Sequence, residues 1–179
     1  MVVNRFPLDA PGAEDEFDRV EVRRSRRRKK TISAEVVGRS LIVSVPERIS
    51  RAEEQQWVER MAGRMARQRR RDRLNQDGAL ARRARELAAR YLGDVTFDSI
   101  GWVTNQNSRW GSCSIQDRSI RLSLEVSHYP GWVRDYVIVH ELAHLIVADH
   151  SPAFWELVER YPLTERARGF LIAKGMEEG

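Results

Sequence analysis

Three of the chain's four histidines fall between positions 140 and 150, at 140, 144 and 150. His140 and His144 are four residues apart, so on a helix turning about 100° per residue they stand one turn apart on one face. Two imidazole nitrogens placed in this way can reach one zinc ion at about 2.0–2.1 Å. Glu141 is rotated from His140 by about 100°, so its carboxylate can stand beside the metal without ligating it. From there it can take a proton from a metal-activated water. The spacing His140-Glu141-x-x-His144 is that of zinc metallohydrolases. Such a site needs a third protein ligand and one open position, and His150 is the candidate third ligand.

This chemistry demands particular elements around it. The stretch Val137–Val147 is apolar on almost every side apart from the motif, which predicts a helix buried on most faces. The helix must end before His150 can turn back. Ser151 reads as an N-cap and Pro152 as the first position of a new helix, which leaves His150 in the joint. The new helix is expected over Ser151–Tyr161 with Phe154, Trp155 and Val158 inward, and a last helix near Thr164–Lys174. Ahead of the metal helix, Ile120, Leu122 and Leu124 alternate with polar residues as in a half-buried strand. Shorter β runs are expected at Val95–Phe97 and Ile100–Val103, and Tyr129-Pro130-Gly131 leads into the metal helix.

The preceding half has a different character. Residues 1–18 hold two prolines, an acidic cluster and no period, and read as a flexible acidic tail. From Arg19 to Val45 apolar residues alternate, with a hairpin turn at Gly38-Arg39. Ser50-Arg51-Ala52-Glu53 has the form of a capping box and opens a helix whose apolar stripe runs through Trp57, Met61 and Met65, with Val58 and Ala62. A second helix is expected over Ala79–Leu92, closed by Gly93. The expected organisation is one domain over 19–179, with a basic β/α lobe at 19–92 and a metal-binding lobe at 93–179.

Net charge is +5, unevenly spread: residues 19–90 carry 22 basic side chains against nine acidic, and residues 91–179 carry eight against twelve. The run Arg23–Lys30 and the arginines around Arg67–Arg73 make an anionic partner such as nucleic acid an expectation, although arginines that merely solvate the fold would look the same. No apolar run approaches the length of a membrane helix, and no basic-then-apolar leader opens the chain. A single cysteine, Cys113, excludes an internal disulfide and suits a reducing cytoplasm, so a cytoplasmic location is expected.

Taken together, Arg109-Trp110-Gly111-Ser112-Cys113-Ser114, the strand Ile120–Leu124, the helix Tyr136–His144 and then His150-Ser151 with Phe154-Trp155 resemble the YgjP-like metallopeptidase family. The basic run Arg24–Lys30, the hairpin and Pro46 resemble the N-terminal half of that family. The resemblance implies a zincin-like α+β fold, with an antiparallel sheet packed on the active-site helix. It also implies zinc held by His140, His144 and His150, with Glu141 as general base. Hydrolysis of nucleoside triphosphates has also been attributed to a member, so peptide and nucleotide substrates both stay open. The interval from His144 to His150 equals that of the metzincins, but Val147 stands where their pattern has Gly, and the chain is not assigned to them.

Further residues are candidates for substrate contact. Arg109 can hold a substrate carboxylate or phosphate, or neutralise an oxyanion, and can equally serve a structural ion pair. Trp110 and Tyr136 complete the candidate set, with core packing as the competing role for each; Tyr136 lies one turn before His140 on the same helix face. Gly111 can allow a close backbone approach. Cys113 is either a thiolate near the metal or a small core thiol. The expected function is a zinc-dependent metallopeptidase. Phosphoanhydride hydrolysis and a nucleic-acid-associated module with structural zinc are the alternatives, and Glu141 argues against the last because structural zinc needs no base.

Overall fold

The computed structural model describes residues 3–6, 12–93, 95–106 and 108–175. The chain is mixed α and β and divides into two compact units, Met1–Arg70 and Arg71–Gly179.

The first unit is built on a four-stranded sheet of β1 (Val3–Phe6), β2 (Arg19–Ser25), β3 (Ser33–Val37) and β4 (Ser40–Pro46), in the order β1-β2-β4-β3. The hairpin forms as its turn residues require: Val37 pairs with Ser40, and Gly38 takes a φ of 61°. Helix α1 (Ala13–Glu16) and the part of α2 (Arg51–Gln76) up to Arg70 complete the unit. Ser50 and Glu53 close the capping box, with the Glu53 N–H donating to Ser50 Oγ at 3.2 Å and the Ser50 N–H to Glu53 Oε2 at 3.2 Å.

Two expectations change here. The segment 1–18 is not without structure where it is described: Val3–Phe6 pairs with β2, and Ala13 and Phe17 are buried in the core of this unit. A four-residue strand shows no period of its own, and its partner lies far along the chain. Residues 1, 2 and 7–11 lie outside the described residues. Of the stripe expected on α2, Val58 and Ala62 are buried and are joined by Glu54 and Ala66, whereas Trp57, Met61 and Met65 are only half-buried beside them. A glutamate can occupy that stripe because Arg24 of β2 donates to Glu54 Oε2 at 2.7 Å. The basic run is thus partly consumed internally. Arg26 pairs with Glu47 at 3.0 Å, and Arg23 with Glu35 at 3.6 Å.

The second unit holds α3 (Ala79–Tyr91), β5 (Ser99–Val103), β6 (Gly111–Ser114), β7 (Ser119–Ser123), a 3-10 turn (Leu124–His128), α4 (Gly131–Ala143), α5 (Pro152–Val158) and α6 (Thr164–Ala173). Its sheet has the order β5-β7-β6. It is not wholly antiparallel: β6 and β7 form an antiparallel hairpin, but β5 runs parallel to β7. The chain leaves β5, passes the central position and enters the far edge as β6 before turning back. Val95–Phe97 precedes the sheet as irregular chain. Helix α3, expected in the basic lobe, belongs to this unit because Leu80, Ala84, Leu87 and Ala88 pack into the same core as α4. The Asn75 side chain holds β5 in place, accepting from the Trp102 N–H at 2.8 Å and donating to the Trp102 carbonyl at 3.1 Å. Among the described residues no helix is long and apolar enough to cross a membrane.

Candidate metal centre

Helix α4 is buried from Tyr136 to Ala143 without a break. Each apolar side chain taken out of water there contributes about 1.5–3 kcal/mol, enough to fix the helix against the sheet. Regular helix ends at Ala143, earlier than the apolar run suggests, and the chain continues in turns whose Ile146 and Val147 N–H groups donate to the Ala143 carbonyl at 2.9 Å. That early exit lets the chain swing round so that His150, just ahead of Ser151 and Pro152, faces back to α4.

The three predicted histidines meet. Ring nitrogens of His140, His144 and His150 all lie within 4.8 Å of one another, an arrangement that could hold a metal ion. His140 Nε2 and His150 Nε2 are 3.2 Å apart. Two nitrogens bound at about 2.0–2.1 Å to one tetrahedral ion stand about 3.3 Å from each other, so the pair fits a shared metal. His144 Nδ1 lies 3.3 Å from the Val147 carbonyl. Only a protonated Nδ1 can make that bond, which leaves Nε2 as the lone-pair nitrogen. Phe154 stacks on His144 at 4.4 Å and meets His140 edge-on at 4.9 Å, and Trp155 stacks on His150 at 5.7 Å. Burial first, then the neighbouring His144 and His150, push the His140 imidazole down to about 3. His144 is lowered for the same first reason. Both are therefore held in the neutral form that a metal needs.

Glu141 stands beside this cluster and is only 5% exposed. Burial raises its carboxyl to about 8, with the charge of Arg109 pulling the other way. Gly111 of β6 lies against it: a Cβ on Gly111 would sit 2.3 Å from Glu141 Oε1. Only a residue with no side chain lets β6 approach this closely. An open cleft of about 220 Å³ runs past Glu141, His144 and His150, walled on the other side by Arg109, Gly111, Ser112 and Cys113.

The remaining candidates separate. Arg109 lines the cleft. Trp110 and Tyr136, candidates for substrate contact with core packing as the competing role, are 4% and 1% exposed and line a small cavity beside His140. The reason is packing: Trp110 meets Tyr129 edge-on at 5.4 Å, and Tyr136 sits on the core side of α4 at 5.9 Å from the His140 ring. Cys113 is half-buried in the cleft wall, and burial pushes its thiol up to about 11, so it is protonated at neutral pH. His128 ends the 3-10 turn, outside the cluster. The Val147 carbonyl had no sequence signal, because it acts through a backbone turn. The Gly111–Glu141 contact had only the presence of a glycine.

A family model described as YgjP-like, metallopeptidase domain, matches residues 82–171, half of the chain. The chain belongs to the YgjP-like metallopeptidase family. The match begins in α3 and ends in α6, so the family domain contains the histidine cluster, Glu141 and the cleft. Among solved structures, the crystal structure of the metallopeptidase zymogen of Pyrococcus abyssi abylysin is similar, with a TM-score of 0.50 and 19% identity. The likeness covers 56% of this chain and 99% of that one, and at this identity it is a likeness of fold. Comparison with curated proteins gave no match.

Proposed function

We propose that the chain is a zinc-dependent peptidase of zincin-like architecture, with His140, His144 and His150 as ligands and Glu141 as general base. The observation that carries this reading is the convergence of the His140, His144 and His150 ring nitrogens within 4.8 Å of one another, with the buried Glu141 beside them at the wall of an open cleft. Zinc held there would supply Lewis acidity, polarising a scissile carbonyl and lowering the pKa of water towards about 7. Glu141 moves the proton, accepting it from the attacking water and delivering it to the leaving amine. Strand β6 is an edge of its sheet and its Gly111, Ser112 and Cys113 line the cleft, which suits an extended peptide bound by strand addition. Arg109 lines the same cleft, and on this reading its guanidinium meets a substrate carboxylate or the developing oxyanion. The protonated Cys113 takes no part in this proton transfer.

Arg109 also favours a second reading, metal-dependent hydrolysis of a phosphoanhydride, because a guanidinium binds phosphate as readily as carboxylate. One experiment separates the two. Zinc-loaded wild type and Glu141→Gln are assayed against quenched-fluorescent peptides and against nucleoside triphosphates. The peptidase reading expects peptide cleavage that falls by several orders of magnitude in Glu141→Gln while zinc content stays the same. Triphosphate turnover without peptide cleavage would select the second reading, and unchanged turnover in Glu141→Gln would remove that residue as the base.

A further inference from the structure

Beside His140 lies a second, much smaller cavity of about 20 Å³. Its walls, among them Trp110, Tyr136, Val137, Glu141 and Leu171, are all buried residues. Glu141 and Gly111 line both this cavity and the open cleft. Two side-chain nitrogens of residues that line the cavity are fully buried and have no hydrogen-bond partner among the described residues, Trp110 Nε1 and His140 Nδ1. The indole nitrogen is always a donor. His140 directs Nε2 at His150, so a neutral His140 that offers Nε2 to the metal carries its proton on Nδ1 and is a donor there too. Beside the Tyr136 side chain, which has an interaction of its own, the cavity lining thus offers two N–H groups lacking an acceptor and one carboxyl group able to receive a hydrogen. Buried polar groups left in this way are rare in folded proteins.

We infer that this cavity is a binding site for one ordered water that accepts from Trp110 Nε1–H and His140 Nδ1–H and donates to the Glu141 carboxylate. The volume exceeds the roughly 10–15 Å³ that one water needs, and three polar partners lie within the 2–4 such a water uses. The hydrogen bonding closes: the two lone pairs of the water take the two N–H groups, and one of its hydrogens meets the carboxylate. A ligand that could only donate would fail, because both N–H groups would still lack an acceptor. The water ties a metal ligand to the base, so Trp110 is a positioning residue that acts on His140 through solvent. Such outer partners of a metal-bound histidine set its tautomer and basicity. The tautomer assigned to His140 rests on the metal reading above.

The test uses the full-length chain labelled with 15N and loaded with Zn²⁺. The Trp110 indole N–H should give a rotating-frame cross-peak to long-lived water. Trp110→Phe, which removes the donor and keeps an aromatic ring, should shift the His140 ring N–H resonance and leave that of His144 in place. It should also weaken Zn²⁺ binding about tenfold in competition with a chelator. A wild type that binds no zinc would overturn the metal reading. A zinc-binding wild type whose Trp110 N–H shows no water contact would overturn the inference alone, whether or not the variant folds. Wild-type zinc affinity in a folded Trp110→Phe would remove the proposed coupling to His140.

Discussion

Gly111→Ala is the sharpest probe of the geometry around Glu141. Gly111 does not need a left-handed backbone; what it supplies is space. A methyl group there would lie 2.3 Å from Glu141 Oε1, 2.7 Å from Cδ and 2.8 Å from Cγ, whereas ordinary contact begins near 3.4 Å. Something must move by about 1 Å. The Glu141 side chain is walled in at 5% exposure, so either the carboxylate leaves its place beside the histidines or β6 is pushed away from α4. A displacement of about 1 Å in a reacting group costs on the order of 100-fold in rate, and overpacking adds roughly 1–3 kcal/mol of destabilisation. The expected result is a kcat about 100-fold below wild type, a lowered urea midpoint and zinc content close to wild type, because the three imidazoles are not what the methyl strikes. Zinc analysis, urea unfolding and steady-state peptide cleavage measure the three quantities. A folded, zinc-loaded Gly111→Ala with wild-type kcat would show that the position of the Glu141 carboxylate does not govern the reaction.

Two further outcomes test the structure away from the cleft. Arg24→Ala leaves Glu54 buried at 1% exposure without its partner, and should cost about 3 kcal/mol in urea unfolding, with most of the loss restored by adding Glu54→Gln; additive losses in the double variant would show that the two side chains do not act as a pair. Tyr161 donates to the Trp132 carbonyl at 3.0 Å, and burial pushes its phenol up from 10 to about 12. The folded pKa is above the unfolded one, so its contribution is complete below pH 10 and is lost as pH rises towards 12, by up to about 1 kcal/mol per pH unit. Tyr161→Phe should therefore lose stability less steeply across that window, and parallel slopes in urea titrations would show that Tyr161 ionises normally in the fold.

What the sequence revealed was what depends on neighbours along the chain. The placement of His140 and His144 follows from helix geometry alone, and so does the capping box of Ser50 and Glu53. The turn at Gly38 needed only a residue tolerant of positive φ. What stayed hidden was set by partners far away. Glu54 lies in the buried stripe of α2 because Arg24 reaches it from β2, which no window around Glu54 could reveal. The parallel pairing of β5 with β7 depends on where the chain crosses, and a strand's own alternation is the same in either direction. Trp110 and Tyr136 carry side chains suited to either a cleft or a core, and their burial follows from how β6 meets α4. Strand β1 is held by main-chain pairing to β2, which leaves no mark on side-chain composition.

On the proposed reading, His140, His144 and His150 hold one zinc ion. Metal analysis by mass spectrometry on purified wild type, His140→Ala, His144→Ala and His150→Ala, each confirmed as folded, tests it most directly. The account predicts about one zinc per wild-type chain, no stoichiometric zinc in His140→Ala or His144→Ala, and weakened binding in His150→Ala. Full zinc in the His140 and His144 variants would place the metal elsewhere and contradict the account.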